Sequence, residues 1–144
     1  MSGGDVAAVA ALEARFFSSW SRQQVASELQ RDTGIAFVAM SADGNVMAWC
    51  CGMLVGGDAE LLKIAVHPDV QKQGVGWALL GAFCCFCEKK EIEQVFLEVR
   101  AENYPALQLY KKHGFFESGR RRNYYRDPVD DAVICVCRFP RDTV

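Results

Sequence analysis

The chain has 144 residues, of which 51% are hydrophobic and 24% charged, with 12 glycines and 4 prolines. This globular composition excludes a disordered, collagen-like or disulfide-stapled chain, and one domain over residues 1–144 is expected, burying roughly two thirds of its unfolded surface. Sixteen basic and eighteen acidic residues leave a formal charge of −2, so no global field exists for gripping a nucleic-acid backbone.

The opening MSGGDVAAVA carries no basic stretch, and Asp5 and Glu13 interrupt its apolar positions, so it does not read as a secretory leader. No run approaches the roughly eighteen apolar residues of a bilayer span, and no membrane partner is expected. Residues 5–20 set Val6, Val9, Ala10, Phe16, Phe17 and Trp20 at helical spacing, with Glu13 as one polar intrusion. Ser21 with Gln24 at N3 predicts a capped second helix that Gly34 would end. Ile35–Met40 reads as a strand, Asp43-Gly44 as a hairpin turn, and Val46–Val55 as the return strand. Gly56-Gly57-Asp58 turns the chain into a third strand, Glu60–Val66, which stops at His67-Pro68.

From Gly74 the period changes. Val75, Ala78, Leu79, Ala82, Phe83 and Phe86 line one face of a helix over 74–90. Gln94–Arg100 is a strand, and Asn103–Lys112 a short helix with Pro105 in its first turn and Gly114 after its end. Phe115–Arg122 and Ala132–Phe139 are two last strands around a loop, Asn123–Asp131. Meandering strands followed by strands crossed by helices describe an α/β or α+β domain, not a bundle.

The seven cysteines, at 50, 51, 84, 85, 87, 135 and 137, stand among Trp, Phe, Val, Ile or Ala and read as small buried hydrophobes. They lack the two-residue gap of a thiolate zinc hook, two histidines are too few for an all-histidine site, and no metal is expected. Such thiol usage suits a reducing, cytoplasmic compartment. Charge is uneven: residues 1–70 hold four basic and eight acidic groups, residues 88–126 nine and six. That polarity reads equally as surface solvation or as ligand steering. The basic-aromatic run Arg120–Arg126 is too short, in an acidic chain, to read as a nucleic-acid strip.

Between the third strand and the long helix lies Gln71-Lys72-Gln73-Gly74-Val75-Gly76. Small residues there expose backbone N–H groups beside a helix N-terminus, which makes a cradle for an anion such as a pyrophosphate. It is neither a Walker loop nor a GxGxxG fingerprint. By itself it reads as a tight turn more often than as a ligand site.

Ile64-Ala65-Val66-His67-Pro68, then Gln71–Gly76, then Leu79-Leu80 resembles the acetyl-coenzyme A motif of the GNAT superfamily of N-acetyltransferases. Asn103-Tyr104-Pro105-Ala106, Leu109-Tyr110 and Gly114-Phe115 resemble its second signature. Leu97-Glu98-Val99-Arg100-Ala101 and Arg121-Arg122-Asn123-Tyr124-Tyr125 resemble, within it, the bacterial ribosomal-protein-alanine N-acetyltransferases. The resemblance implies a mixed, mostly antiparallel central sheet flanked by helices. It also implies acetyl-coenzyme A as cosubstrate and a protein N-terminus, that of a small-subunit ribosomal protein, as partner. Where the family's cradle frequently carries an arginine, this chain has Gln71 and Lys72, with fewer fork-shaped donors.

Acetyl transfer from a thioester to an amine needs a neutral amine, a donor for the developing oxyanion and a proton for the leaving thiolate. The resemblance assigns Glu98 as base, with Glu102 at the loop mouth as runner-up that could attract the amine. It assigns Tyr110 as the acid toward the coenzyme sulfur, and the Val66 N–H, where the strand should splay, to the thioester oxygen. Ile64, Ala65, Val66, Gln71, Lys72, Gln73, Gly74, Val75, Gly76, Asn103 and Tyr110 would hold the cofactor. Trp20, Glu98, Glu102, Asn123 and Tyr124 would face the acceptor, the last two from a loop over the cleft. Transfer is expected to be direct, without an acyl-cysteine. A lysine side chain or small amine as acceptor, or a non-catalytic acyl-coenzyme A module, are the alternatives.

Overall fold

A computed structural model describes residues 1–16 and 19–140. The chain runs α1 (Val6–Glu13), α2 (Arg22–Gln30), β1 (Gly34–Met40), β2 (Val46–Val55), β3 (Asp58–Val66), α3 (Val75–Lys89), β4 (Gln94–Arg100), α4 (Tyr104–Lys112), β5 (Phe116–Arg126) and β6 (Val129–Arg138). The strands form one sheet in the order β1-β2-β3-β4-β6-β5, antiparallel throughout except for the parallel pair β3–β4. This is the mixed, mostly antiparallel α+β architecture that the family resemblance implies.

Alternation along the strands sorts the side chains onto two faces. On one, Ile35, Cys50, Leu97, Val99, Val133 and Cys135 pack against Leu79, Leu80, Phe83, Cys84 and Cys87 of α3 and Tyr110 of α4. On the other, Trp49, Cys51 and Ala65 pack against Val9 and Leu12 of α1 and Val25 of α2. The second face of β4, β6 and β5 is more open, with Phe116 and Arg121 exposed to solvent.

Gly52 shows how tightly the first layer sits. A β-carbon there would lie 2.2 Å from the Glu60 carbonyl oxygen and 2.5 Å from the Phe83 ring. Only glycine lets α3 close onto the sheet beside β3.

Several boundaries differ from the periodicity. α1 stops at Glu13 rather than running on to Trp20, because Arg15 and Phe16 donate their amides three residues back, to Leu12 and Glu13, and tighten the turn. Phe17 lies outside the described residues. The Ser21–Gln24 capping box is present, but Gly34 does not cap α2. It opens β1, and its missing side chain matters because a β-carbon would stand 2.7 Å from the Glu28 carbonyl oxygen. β3 begins at Asp58, two residues before Glu60. The expected loop Asn123–Asp131 is largely strand, since β5 reaches Arg126 and β6 restarts at Val129. β5 is an edge strand exposed along most of its length, so no apolar alternation marks it. Six of the cysteines are buried, whereas Cys85 is exposed on α3.

Candidate active site

The parallel pairing of β3 and β4 is short: Asp58, Ala59 and Glu60 lie beside Gln94, Val95 and Phe96. Beyond that, the β2–β3 register shifts. Gly52 faces Leu61 and Cys51 faces Lys63, so Leu62 is an extra residue in β3. A bulge bends its strand and increases the local twist, and β3 leaves β4 to form a wedge between Leu61–Val66 and Leu97–Arg100. His67 donates its amide to the Met47 carbonyl oxygen at 2.7 Å, which makes Ala48 and Val66 a non-hydrogen-bonded pair. The N–H and C=O of Val66 therefore point away from β2, into the wedge. The splay expected at Val66 is present.

The Gln71 side-chain amide crosses to the Val66 carbonyl oxygen at 3.1 Å, and that of Gln73 to the Asp69 carbonyl oxygen at 3.4 Å. Both glutamines thus shape the loop. Lys72 and Gly74 turn it with left-handed φ values of 64° and 84°. Gly74 is the N-cap of α3 and supplies no side-chain cap, so the first-turn amides, Val75 and Gly76 among them, face outward with their dipole. A β-carbon on Gly76 would approach Val66 Cγ2 to 3.4 Å and Leu109 Cδ2 to 3.5 Å. Those are ordinary contact distances, so a methyl would fit and only a larger side chain would crowd the end of β3.

Glu98 points to the open face. Arg121 of β5 holds its Oε1 at 3.1 Å, and the carboxylate side chain is 23% exposed. Glu60, beside Phe96 in the parallel pair, shares that face. Burial and then the charge of Glu98 push its carboxyl above the usual range. Tyr125 lies close as well: burial, and then Glu98, push its phenol up, while Arg100, 4.2 Å from the ring centroid, pulls it down. Tyr124 meets Tyr125 edge to face at 5.1 Å, with the Arg121 guanidinium 5.7 Å from its ring. Asn123 adopts a left-handed φ of 52° in the β5 bulge and donates its amide to Asp131 Oδ1 at 2.9 Å. These residues project from a strand rather than from the expected loop.

Tyr110 approaches from the opposite face, buried in the α3–α4 layer with its ring 5.7 Å from Phe115. Burial pushes its hydroxyl well above the usual tyrosine range, with Cys135, Cys50 and Tyr125 adding to the effect. Asn103 caps α4 by accepting the Ala106 amide at 3.3 Å. Glu102 is exposed in the turn after β4, its amide bonded to Asp130 Oδ2. Trp20 stands across β3 from Glu98, against Trp49 and Glu13. A groove of about 330 Å³ runs along α2 between Trp20, Gln24 and Glu28, away from the wedge. Nothing in the sequence joins Arg121 or Glu60 to Glu98, because what joins them is a strand register.

Residues 6–115 match the Acetyltransferase (GNAT) family. The chain belongs to that family. A ribosomal protein bS18-alanine N-acetyltransferase of Escherichia coli (strain K12) is 39% identical over 117 residues, covering 80% of this chain and 78% of the relative. The crystal structure of the ribosomal-protein-S18-alanine N-acetyltransferase from Escherichia coli superposes with a TM-score of 0.90 at 34% identity, covering 100% of this chain and 95% of that one. Ard1 from Thermoplasma volcanium gives a TM-score of 0.86 at 26% identity, covering 98% of this chain and 95% of that chain. The chain is therefore an acetyltransferase, and GNAT enzymes use acetyl-coenzyme A. Its uncapped α3 N-terminus, glycine cradle and adjoining wedge fit that molecule's pyrophosphate and extended arm. Among the described residues no helix is long and apolar enough to cross a membrane.

Proposed function

We propose that this GNAT enzyme transfers the acetyl group of acetyl-coenzyme A directly to the N-terminal α-amine of a ribosomal protein, the alanine of bS18. The observation that supports a direct transfer is the wedge. The Val66 N–H turns into it from β3, Glu98 of β4 stands on the open face beside it, and Tyr110 is buried in the layer against the covered face.

In this reading Val75 and Gly76 offer backbone donors to the pyrophosphate, Lys72 adds charge, and Asn103 meets the pantetheine arm as it passes α4. Ile64 and Val66 present backbone groups along the same edge. The acceptor enters over the open face past Trp20, Glu102, Asn123 and Tyr124. Its ammonium competes with the Arg121 guanidinium for Glu98. Glu98 then takes the proton, directly or through a water, and the amine nitrogen attacks the thioester carbonyl carbon. The Val66 N–H stabilises the oxygen as charge develops on it. The carbon–nitrogen bond forms, the carbon–sulfur bond breaks, and Tyr110 gives the departing sulfur its proton. A tyrosine phenol is protonated at neutral pH, as an acid must be, and burial pushes it further in that direction. The seven thiols stay reduced in a cytoplasmic setting and take no covalent part.

The test is acetyl-coenzyme A consumption with a peptide copying the bS18 N-terminus, against the same peptide blocked at its α-amine but carrying an internal lysine. Mass spectrometry should locate the acetyl group on the terminal alanine. Faster modification of the lysine, turnover only of a small polyamine, or binding without turnover would each overturn the reading.

A further inference from the structure

The α1 pattern carries one polar intrusion, and it lies in the core. Glu13 is completely buried, the one charged residue among the buried polar or charged groups described. A buried carboxylate is stable only when donors surround it, and here three elements supply them. The Trp20 backbone N–H donates to Oε1 at 2.9 Å, and Trp49 Nε1–H of β2 donates to Oε2 at 2.8 Å. Lys63 Nζ of β3 lies 3.3 Å from Oε1. The Trp20 ring then stands edge-on to Trp49, with centroids 5.6 Å apart and planes at 75°.

The residue that Glu13 tethers is also the last before the Ser21 cap of α2. Trp20 shares the face of the sheet that carries Glu98, on the other side of β3. Lys63 belongs to β3, which borders the wedge, and Trp49 to β2 on its far side. A leucine at position 13 would fill the volume but leave the Trp20 and Trp49 N–H groups without their acceptor, and the polar tie between Trp20 and β2 would be lost.

We propose that Glu13 is a positioning residue for the acceptor. Its carboxylate ties the start of α2 to β2 and β3, and so holds the Trp20 indole as a fixed wall over which the incoming chain terminus is aligned. The acceptor half of this proposal rests on the transfer reading above; the tether itself does not.

The experiment compares wild type, Glu13→Gln and Val25→Ala, the last a control that loosens the same core without touching the tether. Glutamine keeps the shape but turns an amide N–H toward a donor and leaves Lys63 facing a neutral group. KM for the alanine-started peptide should rise about 10-fold in E13Q with kcat within about 3-fold, the signature of lost binding in ground and transition states alike. Coenzyme A affinity should not move. Val25→Ala, with a comparable loss in urea midpoint, should leave the peptide KM unchanged. Equal KM changes in both variants, or none in E13Q, would overturn the proposal. Hydrogen exchange of the Trp20 amide in the wild-type protein needs no variant and covers the case in which E13Q fails to fold. Protection comparable to the β2 amides is the expected result, and free exchange overturns the tether. If the wild type acetylates no peptide terminus, the transfer reading falls. KM is then measured for whichever amine it does acetylate, while the exchange experiment still decides the tether.

Discussion

The two faces of the sheet differ in kind. The face under α3 and α4 is dry and apolar, closed by Phe83, Leu80 and a group of buried thiols. The opposite face, beyond the reach of α1 and α2, carries Glu60, Glu98, Arg100 and Arg121 in partly solvated company. A transfer that removes one proton and supplies another gains from this asymmetry. A carboxylate near solvent can pass its proton on, whereas a phenol in a dry layer stays protonated until a thiolate forms beside it. The wedge between β3 and β4 is the place where the two environments meet.

The largest effects should come from removing one of the two proposed proton carriers at a time. Tyr110→Phe keeps the ring's packing and should cost about 10²-fold or more in kcat, with an unchanged urea midpoint. Glu98→Gln should cost a similar factor at neutral pH. It should recover part of the loss once the pH passes the acceptor amine's own pKa near 8, because solvent then supplies neutral nucleophile. Tyr110→Phe should show no such recovery. Identical pH–rate profiles for the two variants would dissolve the division of labour between the faces.

Next in size is the cradle at the end of the wedge. Val at Gly74 must adopt a left-handed φ, and at Gly76 it must crowd Val66 and Leu109. The G74V/G76V protein should bind coenzyme A about 10-fold or more weakly, since phosphate can no longer approach the first-turn amides. Calorimetry on a variant with native circular dichroism is the measurement. Unchanged affinity would move the pyrophosphate elsewhere.

How much of this was legible without coordinates follows from the same asymmetry. The covered face announces itself: β2 and β4 kept their expected ends, and α3 and α4 shifted by about one residue, because burial on one side imposes a period. The open face announces little. β5 carries Arg120-Arg121-Arg122-Asn123-Tyr124-Tyr125 with no alternation, so a strand passed for a loop. Glu98 and Tyr110 stand as candidates on a motif resemblance alone. The pairing of Glu98 with Arg121, its nearness to Glu60 and the bulge at Leu62 depend on register, which pairs residues far apart in the chain and leaves no local trace. Glu13 was visible as an intrusion in an apolar stripe, but its three donors come from β2, β3 and the start of α2.

The bulge that opens the wedge offers a smaller and sharper test. Gly52 stands opposite it, and Gly52→Ala would force a β-carbon into the Glu60 carbonyl oxygen and the Phe83 ring. Overpacking of this kind should lower stability by about 1–3 kcal/mol. Because the strain falls on β3 where it leaves β4, kcat should fall as well at temperatures where the variant remains folded. A stability loss with wild-type kcat would separate the packing of the covered face from the geometry of the wedge.

The smallest effect is confined to alkaline solution and probes the dry face alone. Burial pushes the Cys50 and Cys84 thiols up to about 12 and that of Cys87 up to about 11, from an ordinary value near 9. The neutral thiol is favoured in the folded chain. Their contribution is therefore fully present below pH about 9, and it is lost as the pH rises from there toward about 12, while unfolded thiols ionise and folded ones do not. Nothing should change at neutral pH. Between about pH 9 and the folded values, each such thiol should remove about 1.4 kcal/mol of stability per pH unit. Urea midpoints under reducing conditions at neutral pH and in steps above pH 9 measure the slope. Cys50→Ala should flatten it by one thiol's share. An unchanged slope in Cys50→Ala would mean that solvent reaches the covered face and that its contrast with the open face is smaller than the burial of Cys50 implies.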